Sequence, residues 1–239
     1  WHVDPVGVGV AEVAETRYAK TLDGGYIAYK LLGDPSSENE VAVIGSIAAN
    51  VELFFDFEPA ARSWLELASF SRLSLHDRRG TGLSDDMGGL PDLETRAADL
   101  LAVLDAAGQR RPTLLASADG GMVAALLAAT HPDRAAGLVW FFAQARSVKT
   151  HGWPFGRDPD DVDLLAREAE RAWGTEDFVR RMYTHAEMDD DVIRFLARMQ
   201  RHACGPATAV GFIRLLHDYD VREILPTLLI PVLTLGTEG

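Results

Sequence analysis

The chain has 239 residues, 47% hydrophobic and 25% charged, which is enough for one large domain with a sizeable core, or for a core carrying an insertion, rather than two independent domains. Its 23 Lys and Arg against 36 Asp and Glu give a formal charge of −13, a surface that repels phosphate backbones and argues against nucleic acid as a partner. No stretch approaches the ~20 apolar residues of a membrane span, and the single cysteine, Cys204, excludes an internal disulfide or a multi-cysteine metal site and suits a reducing compartment, the cytoplasm by default.

Residues 1–14 carry weak signals and read as a flexible lead-in without the basic and apolar regions of a signal peptide. Residues 16–20 and 26–31, rich in β-branched and aromatic side chains around Asp23-Gly24-Gly25, predict a hairpin. The continuous apolar run 41–44, ending at Gly45-Ser46, predicts a strand buried on both faces. A helix over 59–69, a strand over 71–76 and a polar turn over 77–85 follow, and then a helix over 93–107 with apolar residues at 97, 100, 101 and 104, closed by Gly108.

Residues 112–131 form the centre of the pattern. An apolar strand over 113–116 breaks into small residues at 117–121 and becomes an Ala/Leu-rich helix that stops at Pro132. Another apolar run covers 138–142. Strands and helices thus alternate from residue 41, which predicts a mostly parallel sheet with helices on both faces and a ligand site beyond the carboxyl ends of the strands. From 144 to 225 the pattern changes to helices alone, over 160–173, 176–183, 189–204 and 208–216, and reads as an inserted helical cap. Residues 232–235 restore one sheet strand. The expected organisation is therefore an α/β core over 15–143, a helical cap over 144–225 and a return to the core over 226–239. A start at Trp1 and a stop at Gly239, directly after a strand, read as the ends of a fragment.

In a strand–turn–helix of this kind the residue at the tip of the turn carries the nucleophile, with small neighbours two positions either side. The small neighbours are Ala116 and Gly120, and the tip is Ala118, whose methyl group cannot attack a carbonyl. The main chain keeps what the side chain has lost: the N–H groups of Asp119 and Ser46, the latter after the Gly45 turn, are expected to converge as an oxyanion hole. Ser117 is one position from the tip, where the side chain points elsewhere, and Asp119 is one position beyond it, where a helix N-terminal carboxylate is the plainer role. Asp77 and Arg79 are expected to tie the polar turn to this elbow. Gly45, Ser117, Gly120 and Phe142 are the expected binding residues, and Phe142 with Trp140, Phe141, Trp153 and Phe155 would suit a small apolar acyl or aromatic ligand. The histidines show no metal spacing; a single cap histidine facing the pocket is the alternative to solvated or capping roles.

Several segments together resemble the α/β-hydrolase family: Ile44-Gly45-Ser46, the turn Asp77-Arg78-Arg79-Gly80-Thr81-Gly82-Leu83-Ser84-Asp85, residues 116–121 with the exit His131-Pro132-Asp133-Arg134, and Ile230-Pro231-Val232-Leu233-Thr234-Leu235. More narrowly, the polar turn, Trp173-Gly174-Thr175 and Asp220-Val221-Arg222-Glu223-Ile224-Leu225-Pro226 look like the hydrolase-fold domains that sit beside nucleotide cyclase or regulator modules in bacteria. The resemblance implies an eight-stranded sheet with a cap and ester or related acyl hydrolysis by a Ser-His-Asp triad, with no metal or organic cofactor. It also implies an acid after Gly236-Thr237-Glu238-Gly239 and a histidine further on, so the C-terminal part of the fold is expected to be missing. Two readings follow from it. One is an esterase-like relative that is inactive because Ala118 holds the nucleophile position and the acid and histidine are absent. The other is a non-catalytic ligand-sensing domain that regulates a covalently linked module.

Overall fold

The computed structural model describes residues 14–183 and 187–236; nearly all of the expected lead-in, His185 and the Thr237-Glu238-Gly239 end lie outside the described residues. Seven strands form one sheet among them: β1 (Arg17–Lys20), β2 (Tyr26–Leu32), β3 (Glu40–Ile44), β4 (Arg72–His76), β5 (Thr113–Ser117), β6 (Gly137–Phe141) and β7 (Val232–Leu235). Their spatial order is β1-β2-β4-β3-β5-β6-β7. The pairs β1/β2 and β2/β4 are antiparallel and every later pair is parallel. The eighth strand that the family resemblance implies has no counterpart among the described residues.

Local chemistry accounts for these elements. The hairpin closes where the Thr21 N–H donates to the Gly25 carbonyl at 2.8 Å, with Gly24 at φ +95° making the reversal. Parallel neighbours need crossovers, supplied by α1 (Glu58–Ala68), α2 (Leu93–Ala106) and α3 (Gly120–Thr130). Helix α2 starts where the Asp92 carboxylate accepts the Thr95 N–H at 2.8 Å, and it ends where the Gln109 N–H returns to the Leu104 carbonyl at 2.8 Å. Between these ends it buries Ala97, Leu100, Val103 and Leu104. Helix α3 is buried almost all round; its Gly, Ala, Val and Leu side chains meet Leu114 and Ala116 of β5 and Leu138 and Trp140 of β6 in the central core. Full burial of each such leucine is worth roughly 1.5–3 kcal/mol.

Four helices separate β6 from β7: α4 (Pro159–Ala172), α5 (Glu176–Met182), α6 (Asp190–Ala203) and α7 (Pro206–Leu215). Helices α4, α5 and α7 share an apolar cluster of Val162, Leu165, Ala169, Phe178, Ala209 and Phe212, into which Ile47 projects from the loop after β3, while Ile193 and Ala197 of α6 pack on Val179 of α5. The Trp173 indole donates to the carbonyls of Gln200 and Cys204, both at 2.9 Å, tying the end of α4 to α6. Loops at the carboxyl ends of β3 and β4 hold this segment in place. The Gly82 N–H donates to the Ala203 carbonyl at 2.6 Å, Asn50 donates to the His202 carbonyl at 3.3 Å, and Phe57 stacks on Phe195 at 4.6 Å. The helices therefore sit over the strand ends, where an α/β sheet carries its ligands.

The strand expected over 138–142 stops one residue early. Phe142 turns to φ +47°, a left-handed backbone that no strand continues. At the outer edge of the sheet, β7 is exposed along its whole length, including Val232, Leu233 and Leu235. Among the described residues no helix is long and apolar enough to cross a membrane.

Candidate functional site

Strand β5 ends at Ser117 and α3 begins at Gly120, so Ala118 and Asp119 alone make the turn. Ala118 stands at φ +49° with its methyl exposed. A left-handed backbone costs a residue with a Cβ roughly 1–2 kcal/mol, so the surroundings must impose it. Three main-chain bonds do so: Ala118 N–H to the Phe141 carbonyl at 3.3 Å, Gly121 N–H to the Ala118 carbonyl at 3.1 Å, and Met122 N–H to the Asp119 carbonyl at 3.2 Å. The two glycines allow the approach. A Cβ on Gly120 would lie 2.6 Å from the Ile44 carbonyl oxygen, and one on Gly121 would lie 1.8 Å from the Trp140 indole nitrogen. The elbow is thus pressed against the ends of β3 and β6. Phe142, the other left-handed residue with a side chain among the described residues, sits beside it at the end of β6, half exposed, with its ring edge-on to Phe141 at 4.5 Å. Strained residues on two neighbouring strand ends mark this edge as the place to look for function.

Of the expected oxyanion donors, Ser46 lies in the loop after β3 and Asp119 in the elbow; neither N–H finds an acceptor among the described residues. Gly45 and Ser46 line a cavity of about 20 Å³, together with Ile44, His76, Asp77 and Arg78. Ser117 closes β5 opposite Phe141 and does not line this cavity.

The Asp119 carboxylate stands at the N-terminus of α3 but does not cap it. It makes no hydrogen bond to α3 and reaches sideways to two arginines, Arg78 from the polar turn and Arg96 from α2, the latter at 3.0 Å. All three side chains are nearly buried, with exposures of 11% for Asp119, 6% for Arg78 and 5% for Arg96. The cations each face an aromatic ring: Arg78 lies 4.6 Å from the ring centre of Phe212 in α7, and Arg96 lies 5.6 Å from that of Tyr219. The expected tie between Asp77, Arg79 and the elbow is therefore replaced by one through Arg78.

Asp77 and Arg79 instead hold the turn itself. Both Asp77 oxygens accept main-chain N–H groups, from Val51 at 2.8 Å and Leu83 at 2.9 Å, while burial pushes its carboxyl up to about 7 against those bonds. Arg79 is clamped by Asp99, at 2.6 and 2.8 Å, and by Asp23, which raises its pKa further above the usual range. Next to them the partly buried His76 imidazole is lowered to about 4, first by desolvation and then by Arg96, and its Nδ1 has no partner among the described residues.

Trp140 belongs to the core, Phe54 packs against Trp64 at 5.4 Å, Glu52 pairs with the buried Lys30 at 3.0 Å, and His131 meets Thr130 at the end of α3. Phe155 is exposed and lies edge-on to Trp153. Sequence reasoning missed the Arg78–Asp119–Arg96 cluster. One trace of it was available: Arg96 and Asp99 fall on the same side of α2 as Ala97, Leu100 and Leu104, where a charge must find a partner.

No family model matches the chain. A Caulobacter sp. (strain K31) protein named as the carbamate hydrolase RutD is 33% identical over 117 residues, which is 48% of this chain and 40% of that protein. The chain thus spans less than half the length of this curated relative. Among solved structures, an esterase from Exiguobacterium antarcticum superposes with a TM-score of 0.78 at 21% identity, over 92% of this chain and 80% of that one. A bromoperoxidase from Bacillus anthracis superposes at 0.75 and 18% identity, also over 92% and 80%. What these proteins share with the sheet order and elbow described above is an architecture, and by it this chain has the α/β-hydrolase fold.

Proposed function

We propose that this chain, esterase-like in ancestry, binds a small acyl ligand at the elbow without cleaving it. The observation that carries this reading is Ala118. It occupies the tip of a turn with the left-handed backbone and close glycine packing of a nucleophile elbow, yet presents a methyl group where acyl transfer needs a hydroxyl. The unpaired N–H groups of Ser46 and Asp119 supply donors for a carbonyl or carboxyl oxygen, and main-chain donors survive the loss of the nucleophile. The helical segment acts as the cap of this pocket, and Phe142 offers apolar surface to the acyl portion. The test is p-nitrophenyl butyrate: the unmodified chain should bind it and release no p-nitrophenolate above the buffer rate. Turnover abolished by blocking Ser117 or Asp119 would refute the reading.

A sensing role has its own support. Asp119 is joined to the cap through two arginines stacked on Phe212 and Tyr219, so a ligand that moves the elbow also moves α7. In this reading occupancy is reported to a linked regulatory module through the cap, in a soluble, cytoplasmic bacterial protein. Hydrogen exchange in α7 with and without ligand tests it; unchanged protection in α7 at saturation counts against it.

A further inference from the structure

The donors of Arg78 are only partly used. Its Nη2 is taken by Asp119, but Nε and Nη1 are buried with no acceptor among the described residues. Leaving a buried donor unpaired is costly, and more so on a charged group. Two such donors on one guanidinium therefore call for an acceptor that the described chain does not provide. The cavity of about 20 Å³ that Arg78 lines with Gly45, Ser46 and His76 has room for one oxygen-sized group.

The nearby carboxylates are committed elsewhere. Asp99 spends both oxygens on Arg79, and Asp77 spends both on main-chain N–H groups. Asp119 is shared between Arg78 and Arg96, so two nearly buried guanidiniums meet a single carboxylate. The positive end of α3, an 11-residue helix whose first residue follows Asp119, adds potential of the same sign. Desolvated cation, unpaired donors and an adjoining space thus favour an anionic oxygen over a neutral one.

We propose that Arg78 and the Gly45–Ser46 loop form a carboxylate-binding site, whose ligand places one carboxylate oxygen in this cavity and is a free acid rather than an ester. This rests on the reading that the elbow binds without cleaving, and it narrows the ligand from acyl compounds in general to free acids. An ester would offer Arg78 a carbonyl oxygen but no charge to balance the second guanidinium that shares Asp119; an acid supplies both the acceptor and the charge.

Calorimetric titration of the purified chain near neutral pH with sodium butyrate, methyl butyrate and sodium chloride, at matched ionic strength, tests the proposal. Butyrate should bind, methyl butyrate should bind at least roughly ten-fold more weakly, and chloride should give no saturable heat. Arg78→Lys keeps the charge but loses the planar set of donors, and it should weaken butyrate by about ten-fold. Methyl butyrate binding as tightly as butyrate overturns the carboxylate site while leaving the broader binding reading intact. Equal heats from chloride, or no binding of butyrate, also overturn it. Appearance of methanol in the methyl butyrate arm would instead refute binding without cleavage. The ligand comparison on the unmodified chain decides the matter even if Arg78→Lys fails to fold.

Discussion

Removing the Asp119 carboxylate should be among the most damaging single changes this fold can suffer outside its apolar core. The carboxylate lies 3.0 Å from Arg96 and is in closer contact still with Arg78. At an effective dielectric of about 20, one unit charge pair at that separation is worth about 5 kcal/mol of attraction. Part of that is offset by desolvation, but the offset was incurred by all three groups together. In Asp119→Ala the two guanidiniums stay buried with no carboxylate between them, a situation that typically costs roughly 3–5 kcal/mol. Asp119→Asn keeps the shape and one acceptor oxygen, so its loss should be smaller, about 2 kcal/mol. Equilibrium urea denaturation measures both, provided that the slope is unchanged and only the midpoint moves. A double-mutant cycle with Arg96→Leu should return a coupling of about 1–3 kcal/mol. Asp119→Ala losing less than about 1 kcal/mol, with no coupling to Arg96, would mean that water screens the cluster and would refute the burial argument.

Four further outcomes follow from the site. Gly120→Ala drives a methyl to 2.6 Å from the Ile44 carbonyl oxygen, which is main chain and cannot swing away; thermal denaturation should show a loss of about 1–3 kcal/mol, and an unchanged Tm would contradict the close approach. At Ala118, where φ is +49°, Ala118→Gly should hold or raise stability by up to about 1 kcal/mol as relieved strain outweighs chain entropy, whereas Ala118→Val should cost about 2 kcal/mol; equal Tm values for the glycine and valine variants would count against an imposed left-handed turn. His76, lowered to about 4 from 6.5, binds its proton later in the folded than in the unfolded chain, so stability attributable to it should fall as pH drops from about 6.5 to about 4, by about 3 kcal/mol in all. Asp77, raised to about 7, has the opposite slope in an overlapping window, with stability lost as pH climbs from about 4 to about 7; the difference between the unmodified chain and His76→Gln isolates the histidine, and parallel pH profiles would refute its assignment.

The sheet and its crossovers were legible because their signals are local. Runs such as Val41–Ile44 and Leu114–Ala116, short and bounded by turn residues, suit strands of a parallel sheet, and the Ala/Leu-rich stretch between Gly121 and Pro132 suits a helix that proline ends. The elbow was legible for the same reason, since small residues at fixed offsets from a tip describe a backbone shape. What joins the elbow to its surroundings was not legible. Arg78 and Asp119 are 41 positions apart in sequence, and Arg78 and Arg79 are adjacent and chemically identical, so nothing local says which of them faces the elbow. The answer depends on the turn's curvature: Asp77 is anchored inward by Val51 and Leu83, which sends one arginine to α2 and the hairpin and the other to α3 and α7. The early end of β6 was hidden likewise, because Phe142 is a good strand residue whose main chain is turned by its place beside the elbow.

The near-total burial of α3, with glycine and alanine along much of its length, means that the helix can sit with its axis unusually near the sheet. The helix, more than the turn in front of it, therefore sets where the tip of the elbow stands. A side chain at the tip can then be exchanged while the position it occupies in space is conserved by packing behind it. Chemistry and architecture are separable at this point of the chain, because the packing behind the tip sets its position whatever side chain stands there.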